Sequence, residues 1–82
     1  MQIVWDERKR QANINKHGFD FADLSEEFFA RAVIVPANDG RSMAIGRLRD
    51  GTIAVVFAFL GVEAISIVSM RVADRKERRV LE

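Results

Sequence analysis

The first 40 residues alternate short apolar clusters with polar stretches of helical length. The apolar triplet 3–5 predicts a short opening strand. Asp6 then predicts a helix, because its carboxylate can accept hydrogen bonds from the free amides of a first turn. We expect this helix to end just before Gly18, the residue type that best tolerates the left-handed closing position. Its thin apolar stripe, Ala12 and Ile14, predicts a surface helix.

A second helix is predicted to follow directly. Asp20 is a suitable N-cap, and Phe19 and Leu24 stand at the two positions of a hydrophobic staple. The helix should end before Pro36, which disfavours helical backbone in the residue ahead of it. The apolar, partly β-branched segment 32–35 predicts a strand. The expected buried face of the helix consists of Ala22, Leu24, Phe28 and Phe29.

The second half of the chain predicts antiparallel strands. Segments 42–48 and 52–60 flank Asp50-Gly51, and an Asp-Gly pair between apolar runs is a strong hairpin signal because glycine accepts a positive φ. Residues 61–63 make a second reversal before a strand over 64–70.

Asp74 and Glu77 have the spacing of a capping pair, which predicts a final helix. The order of elements contains no long crossover helices between successive strands, which argues against a parallel doubly wound sheet. We therefore predict an α+β fold: an antiparallel sheet of about four strands, with two N-terminal helices and one C-terminal helix on one face. Residues 1–82 should form a single domain.

Composition narrows the chemistry. The 82 residues include one histidine and no cysteine, which excludes disulfides and the usual zinc sites. Phosphate-binding loops, dinucleotide glycine motifs and nucleophile elbows are absent from the sequence, so we expect no cofactor. The chain start does not resemble a signal peptide, and the longest apolar stretch is about half a membrane span. We expect a cytoplasmic protein without membrane contact.

Charge is unevenly distributed although the net charge is only +1. Segment 19–40 holds five acidic residues against one arginine, whereas segments 1–18, 41–51 and 71–82 each have a surplus of two positive charges. A basic side could bind nucleic acid. Solvation of charged surface helices explains any single cluster equally well.

Arginine is the best candidate for chemistry. Segment 71–82 contains a basic cluster in which Arg75, Arg78 and Arg79 have the spacing of one helix face and Arg71 precedes them on a strand. Guanidinium groups can clamp a phosphate and stabilise a pentacoordinate phosphorane. RNA carries its own nucleophile, the 2′-hydroxyl, so arginines could cleave it without a metal. A solvated basic helix is the plainer interpretation of the same spacing.

His17 also has two interpretations. Histidine exchanges protons near neutral pH and could act as a general base. Its position just before Gly18 equally suits a helix C-terminus, where the helix dipole favours a cation.

Three motifs in register resemble the BrnT toxin family. The first runs from Trp5-Asp6-Glu7 through Asn13 to Lys16-His17-Gly18 and Phe21. The middle one comprises Arg41, Ile45-Gly46 and Asp50-Gly51. The last comprises residues 67–71 (Ile-Val-Ser-Met-Arg) and 75–79 (Arg-Lys-Glu-Arg-Arg).

This resemblance implies a ribonuclease toxin of the wider RelE-like group, with a compact fold, that inhibits translation by cutting RNA. It implies neutralisation by a BrnA-type antitoxin in a two-plus-two complex, which contacts operator DNA only through the antitoxin. Carried onto this sequence, it predicts catalytic roles for Arg41, Arg71, Glu77, Arg78 and Arg79. We expect RNA binding by Trp5, Lys16, His17, Arg75 and Lys76.

Two positions depart from the family pattern. Ser66 stands where an arginine is frequent, and Leu81 stands where a tyrosine is usual; the chain has no tyrosine. Proton transfer could then fall to Lys16, His17 or Glu77. A second hypothesis follows: a catalytically weak toxin-fold binding module that acts mainly through its antitoxin in operon repression.

Overall fold

A computed structural model describes residues 1–82 as an α+β fold with a mixed five-stranded sheet of order β1-β5-β4-β3-β2. The strands are β1 (Gln2–Trp5), β2 (Val33–Pro36), β3 (Ser42–Leu48), β4 (Gly51–Leu60) and β5 (Ala64–Val72). The helices are α1 (Glu7–His17), α2 (Glu26–Arg31) and the single turn α3 (Arg75–Arg78). Short 3-10 turns cover Phe21–Asp23, Asn38–Gly40 and Arg79–Leu81.

The prediction of about four antiparallel strands is wrong in one respect, because the sheet has a fifth strand that pairs in parallel. β1 lies at the edge beside β5, with Ile3 opposite Ile65 and Trp5 opposite Ile67. The other three pairings, β2 with β3, β3 with β4 and β4 with β5, are antiparallel as expected. The partner of β1 is some 60 residues away along the chain, and a local apolar pattern carries no information about so distant a neighbour.

The main core lies between one face of the sheet and the N-terminal helical segments. Phe21, Leu24 and Phe28 pack there against side chains of β3, β4 and β5. Gly46 allows this approach, since a Cβ at that position would lie 2.9 Å from the Phe28 ring. We call this the helical face of the sheet.

The C-terminal segment packs on the other face, contrary to the expectation that all helices share one side. Ile45 and Ala54 oppose each other across β3 and β4 and are buried, although they point away from the helical face. Ile45 lines a cavity of about 280 Å³ together with Glu77 and Val80 of the C-terminal segment. A single turn of helix can sit above a strand without a wide apolar stripe, which is why the sequence pattern did not reveal its side.

Two local signals act differently from the prediction. Asp20 caps only the 3-10 turn at Phe21–Asp23, and α2 begins later, where the Ser25 hydroxyl accepts from the Phe28 amide at 3.2 Å. Leu24 between them is extended, because it and Phe21 both point into the core. In the β3–β4 hairpin the positive φ falls on Arg49, the first of the two loop residues, and not on Gly51.

None of the helices has the length and hydrophobicity that crossing a bilayer requires.

Candidate active site

The end of β5 and the start of α3 form one ion-paired unit around Arg71. The Nη1 and Nη2 atoms of Arg71 donate to Oε1 and Oε2 of Glu77 at 2.8 and 2.9 Å, a two-pronged ion pair. Glu77 Oε1 also accepts from the Asp74 amide at 2.9 Å, while the Asp74 carboxylate accepts from the Glu77 amide. The predicted capping pair is therefore confirmed, and it also fixes the partner of Arg71.

This pairing shifts the pKa values of both side chains. The hydrogen bond from Arg71 is the main reason that the pKa of Glu77 lies below its ordinary value, with the Asp74 amide contributing in the same direction. The pKa of Arg71 is raised by the same hydrogen bond. Glu77 is consequently an ionised acceptor whose oxygens are already occupied. Arg71 retains its Nε–H and one Nη2 hydrogen without a partner inside the molecule.

Arg78 lies close to this unit. Its Nη1 donates to the carbonyl of Ala73 at 2.8 Å, and Arg71 Nη1 donates to the neighbouring carbonyl of Val72 at 3.3 Å. The guanidinium groups of Arg71 and Arg78 are thus gathered by two consecutive backbone carbonyl groups, to which they donate hydrogen bonds. Arg75, Lys76 and Arg79 are exposed on the same short segment and have no ion-pair partner.

Two other candidate residues lie apart from the Arg71 unit. Arg41 immediately precedes β3 and lies four residues before Ile45. Ile45 pairs with Ala54 of β4, and Ala54 pairs in turn with Arg71 of β5. Because four residues of extended chain span about 13 Å, Arg41 is displaced by about that distance along the strand direction from the level of Arg71. Trp5 lies against the core, where its ring meets Phe21 edge-on at 6.2 Å.

Lys16 and His17 line a second feature, an open cleft of about 230 Å³ between α1 and β5. Lys9, Asn13 and Lys16 share one face of α1 because they are spaced i, i+4 and i+7. From β5, Val68 and Ser69 complete the cleft. Its lining is Lys9, Ala12, Asn13, Lys16, His17, Val68 and Ser69.

Asn13 fastens α1 to β5. It is the one buried residue of α1, in place of the predicted Ala12 and Ile14 stripe. Its side-chain amide accepts from the Met70 amide at 3.0 Å and donates to the Met70 carbonyl at 2.9 Å and the Phe19 carbonyl at 3.0 Å. Because β1 pairs only with the first part of β5, this side chain supplies the hydrogen bonds that a neighbouring strand would make beyond it.

The cleft and the Arg71 unit adjoin each other. Ser69 and Arg71 are two residues apart on β5 and oppose Val56 and Ala54, so they point to the same face of the sheet about 7 Å apart. Lys9, Lys16, His17, Arg71 and Arg78 belong to these two neighbouring features, and we call them together the basic strip.

Sequence reasoning missed Lys9, Ser69 and the clamping role of Asn13. The spacing of Lys9, Asn13 and Lys16 was a readable sign of a shared helix face, but the side of β5 that Ser69 occupies depends on tertiary pairing. No three metal-ligating side chains lie together anywhere in the 82 residues.

Comparison with known proteins gives two matches. The family model described as the ribonuclease toxin BrnT of type II toxin–antitoxin systems matches residues 5–77. A crystal structure of the Brucella abortus ribonuclease toxin BrnT is 53% identical, with a TM-score of 0.86, and the alignment covers 92% of this chain and 99% of that one. Comparison with curated proteins gives no match.

Proposed function

This chain belongs to the BrnT family of ribonuclease toxins of type II toxin–antitoxin systems, and from that premise we propose that it is a RelE-like endoribonuclease. It cleaves RNA without a metal ion, inhibits translation in the cytoplasm, and is neutralised by a BrnA-type antitoxin in a two-plus-two complex that represses its own operon. The basic strip supports this proposal, because it combines cations for successive phosphates with two gathered guanidinium groups.

RNA binding is assigned to the basic strip together with Arg75, Lys76 and Arg79. Lys9 and Lys16 on α1 and the exposed cations of the C-terminal segment neutralise phosphates on either side of the cut. Such contacts position a strand without reading its bases, and each one makes binding weaker at high salt.

The reaction is an internal transesterification. The 2′-oxygen forms a bond to phosphorus, the bond from phosphorus to the 5′-oxygen breaks, and the products are a 2′,3′-cyclic phosphate and a 5′-hydroxyl. His17 takes the 2′-hydroxyl proton, and Lys16, which lines the same cleft, gives a proton to the departing 5′-oxygen. Arg71 and Arg78 stabilise the additional negative charge of the phosphorane.

Glu77 has a positioning role in this scheme. Its carboxylate accepts two hydrogen bonds from Arg71 and one from the Asp74 amide, and its pKa is lowered by Arg71. A carboxylate that holds its charge so firmly is a weak proton acceptor. It orients the Arg71 guanidinium, whose Nε edge remains available for phosphate.

The proposal is tested by incubating purified protein with a defined RNA in the presence of EDTA. We expect cleavage by the unsubstituted chain, and about 100-fold slower cleavage by Arg71→Ala and by Arg78→Ala, a typical loss when one charge-stabilising donor is removed. Arg31→Ala is the matched control, since Arg31 is exposed on α2 and pairs only with Glu27.

Growth arrest on expression provides the cellular measurement, and both strip variants should relieve it. RNA that stays intact with every form of the protein would favour the second candidate function, the binding module suggested by Ser66 and Leu81. Cleavage that EDTA abolishes would contradict the metal-independent reaction.

A further inference from the structure

An apolar groove opens on the helical face of the sheet. It has a volume of about 290 Å³ and is bounded by the chain start, α2, β2 and the adjoining ends of β4 and β5. We call it the apolar groove. Its lining is Met1, Glu26, Phe29, Ala30, Ile34, Phe57, Phe59 and Ile65.

Phe59 is the most exposed aromatic side chain of the groove, with 64% of its surface accessible. It is nevertheless held firmly, because its ring meets Phe57 edge-on at 5.2 Å and Phe57 in turn meets Phe29 at 5.4 Å. Phe29 meets the buried Phe28 at 5.2 Å, so an aromatic ladder runs from the core to the surface. A fixed, exposed aromatic ring is typical of the residues that dominate binding energy in protein interfaces.

The groove and the basic strip lie on opposite faces. Phe59 opposes Ile65 across β4 and β5, both on the helical face. Arg71 opposes Ala54, which points to the other face. The segment of a partner that is seated in the groove therefore does not itself cover the strip.

The charge around the groove decides which partner fits. Its lining contains no lysine or arginine side chain, and its one charged side chain, Glu26, is 71% exposed at 3.6 Å from the Met1 ammonium. Glu63 adjoins the chain start, where its carbonyl accepts from the Gln2 amide at 2.8 Å, and its carboxylate has no ion-pair partner. The Met1 ammonium balances the Glu26 carboxylate, so Glu63 gives the surroundings of the groove a net negative charge, which disfavours RNA and anionic lipid.

A second copy of the chain is also disfavoured. A two-fold contact would bring the same patch against itself and would put the Glu63 carboxylates of both copies, neither of them ion-paired, into one interface. The groove is small for a free ligand and offers almost no polar group to orient one. Its dimensions suit a few apolar side chains projecting from a helix.

We propose that the apolar groove is the docking site for the antitoxin, whose occupying segment is a helix with an apolar face flanked by lysine or arginine. This inference rests on the proposed function, since it names where the partner of the toxin binds. The antitoxin is anchored around Phe59, and the basic residues of its helix lie against Glu26 and Glu63.

The test uses the purified chain and a BrnA-type antitoxin, with binding measured by calorimetry and RNA cleavage measured in parallel. Phe59→Glu should weaken antitoxin binding by at least about 30-fold, the loss expected for a central interface residue. Its RNA cleavage without antitoxin should equal that of the unsubstituted chain, and antitoxin should no longer suppress it.

Val72→Ser is the matched control for binding. Like Phe59, Val72 is an exposed apolar residue, with 61% of its surface accessible. It lies on β5, seven residues from Ile65 of the groove, which is about 23 Å along the strand. Ile34→Ser, at the rim of the groove, is the second variant if Phe59→Glu does not fold.

Antitoxin binding by Phe59→Glu or Ile34→Ser within threefold of the unsubstituted value would overturn the docking site. Sedimentation that shows a dimer of the chain alone, broken by the same variants, would assign the groove to a second copy and overturn it too. The two assays fail separately: absence of RNA cleavage by the unsubstituted chain contradicts the proposed activity, whereas the groove is judged by binding.

Discussion

At the scale of single residues, the molecule relies on side chains that complete backbone structure. Asn13 makes two hydrogen bonds to β5 where its β1 partner has ended and a third to the Phe19 carbonyl, and Glu77 binds both the Asp74 amide and Arg71. Each side chain therefore links an element to the basic strip. Substitution of Asn13 therefore tests stability, and substitution of Glu77 tests activity.

Asn13→Ala should lower the free energy of unfolding by about 3 kcal/mol, because it leaves the buried Met70 amide and carbonyl without partners. Urea unfolding measures this change. Asn15→Ala is the control, since Asn15 is exposed on the same helix and should change stability by less than about 0.5 kcal/mol. Equal effects of the two substitutions would contradict the clamp.

Glu77→Gln should reduce the rate constant for RNA cleavage by roughly tenfold while KM stays the same, because the amide cannot accept from both Arg71 nitrogens. Stability should fall by only about 1 kcal/mol, since the pair is partly exposed. Single-turnover kinetics and thermal unfolding measure the two effects. Glu82→Gln, exposed in the same segment, is the control; an unchanged rate with Glu77→Gln would argue against positioning.

At the scale of elements, local signals predicted what local forces determine. The Asp6 cap, the Gly18 end of α1, the hairpin and the Asp74–Glu77 capping box are all observed, since each depends on residues within a few positions of one another. The sequence could not supply the side or partner of an element, nor the core contacts of Phe21 and Leu24 that delay the start of α2 beyond Asp20.

The candidate site shows the same division. The arginine cluster was visible in the sequence, and the pairing of Arg71 with Glu77 joins two predicted residues. The cleft lined by Ser69 was not visible in the sequence, because it forms only when α1 docks on β5. Arg41, Arg71, Glu77, Arg78 and Arg79 stay predictions as catalytic residues, and so do Trp5, Lys16, His17, Arg75 and Lys76 as RNA-binding residues.

α3 should depend on its cap more than a longer helix would, because one turn cannot persist without tertiary or capping support. Asp74→Ala should cost about 1 kcal/mol and increase hydrogen exchange over residues 75–82, with little change elsewhere. Asp74→Ser retains a capping oxygen and should restore most of the protection. Uniform protection in the alanine variant would show that the cap is dispensable.

At the scale of the whole molecule, ion pairs set the response to acid. Hydrogen bonds from Arg10 are the main reason that the pKa of Glu7 is lowered to about 2. The pKa of Asp20 is lowered by the Ala22 amide and then by Arg10, and that of Glu77 by Arg71. All three carboxylates bind protons more weakly in the folded chain than in the unfolded one.

Their contribution to stability is therefore complete above about pH 5 and is lost as the pH falls toward 2. We expect the Tm, followed by circular dichroism, to be level between pH 7 and 5 and to fall steadily below. Glu7→Gln should have a shallower decline than the unsubstituted chain. A Tm that rises on acidification would contradict this assignment.

The parallel pairing of β1 with β5 also constrains when the enzyme first exists. Trp5 pairs with Ile67, which lies 62 residues further along the chain, and Arg71 and Arg78 follow Ile67. The edge of the sheet cannot close, nor the two arginines gather, until residues 64–78 have left the ribosome. A nascent chain that has not yet extended through Arg78 therefore lacks both the closed edge of the sheet and the gathered arginines on which the proposed reaction depends.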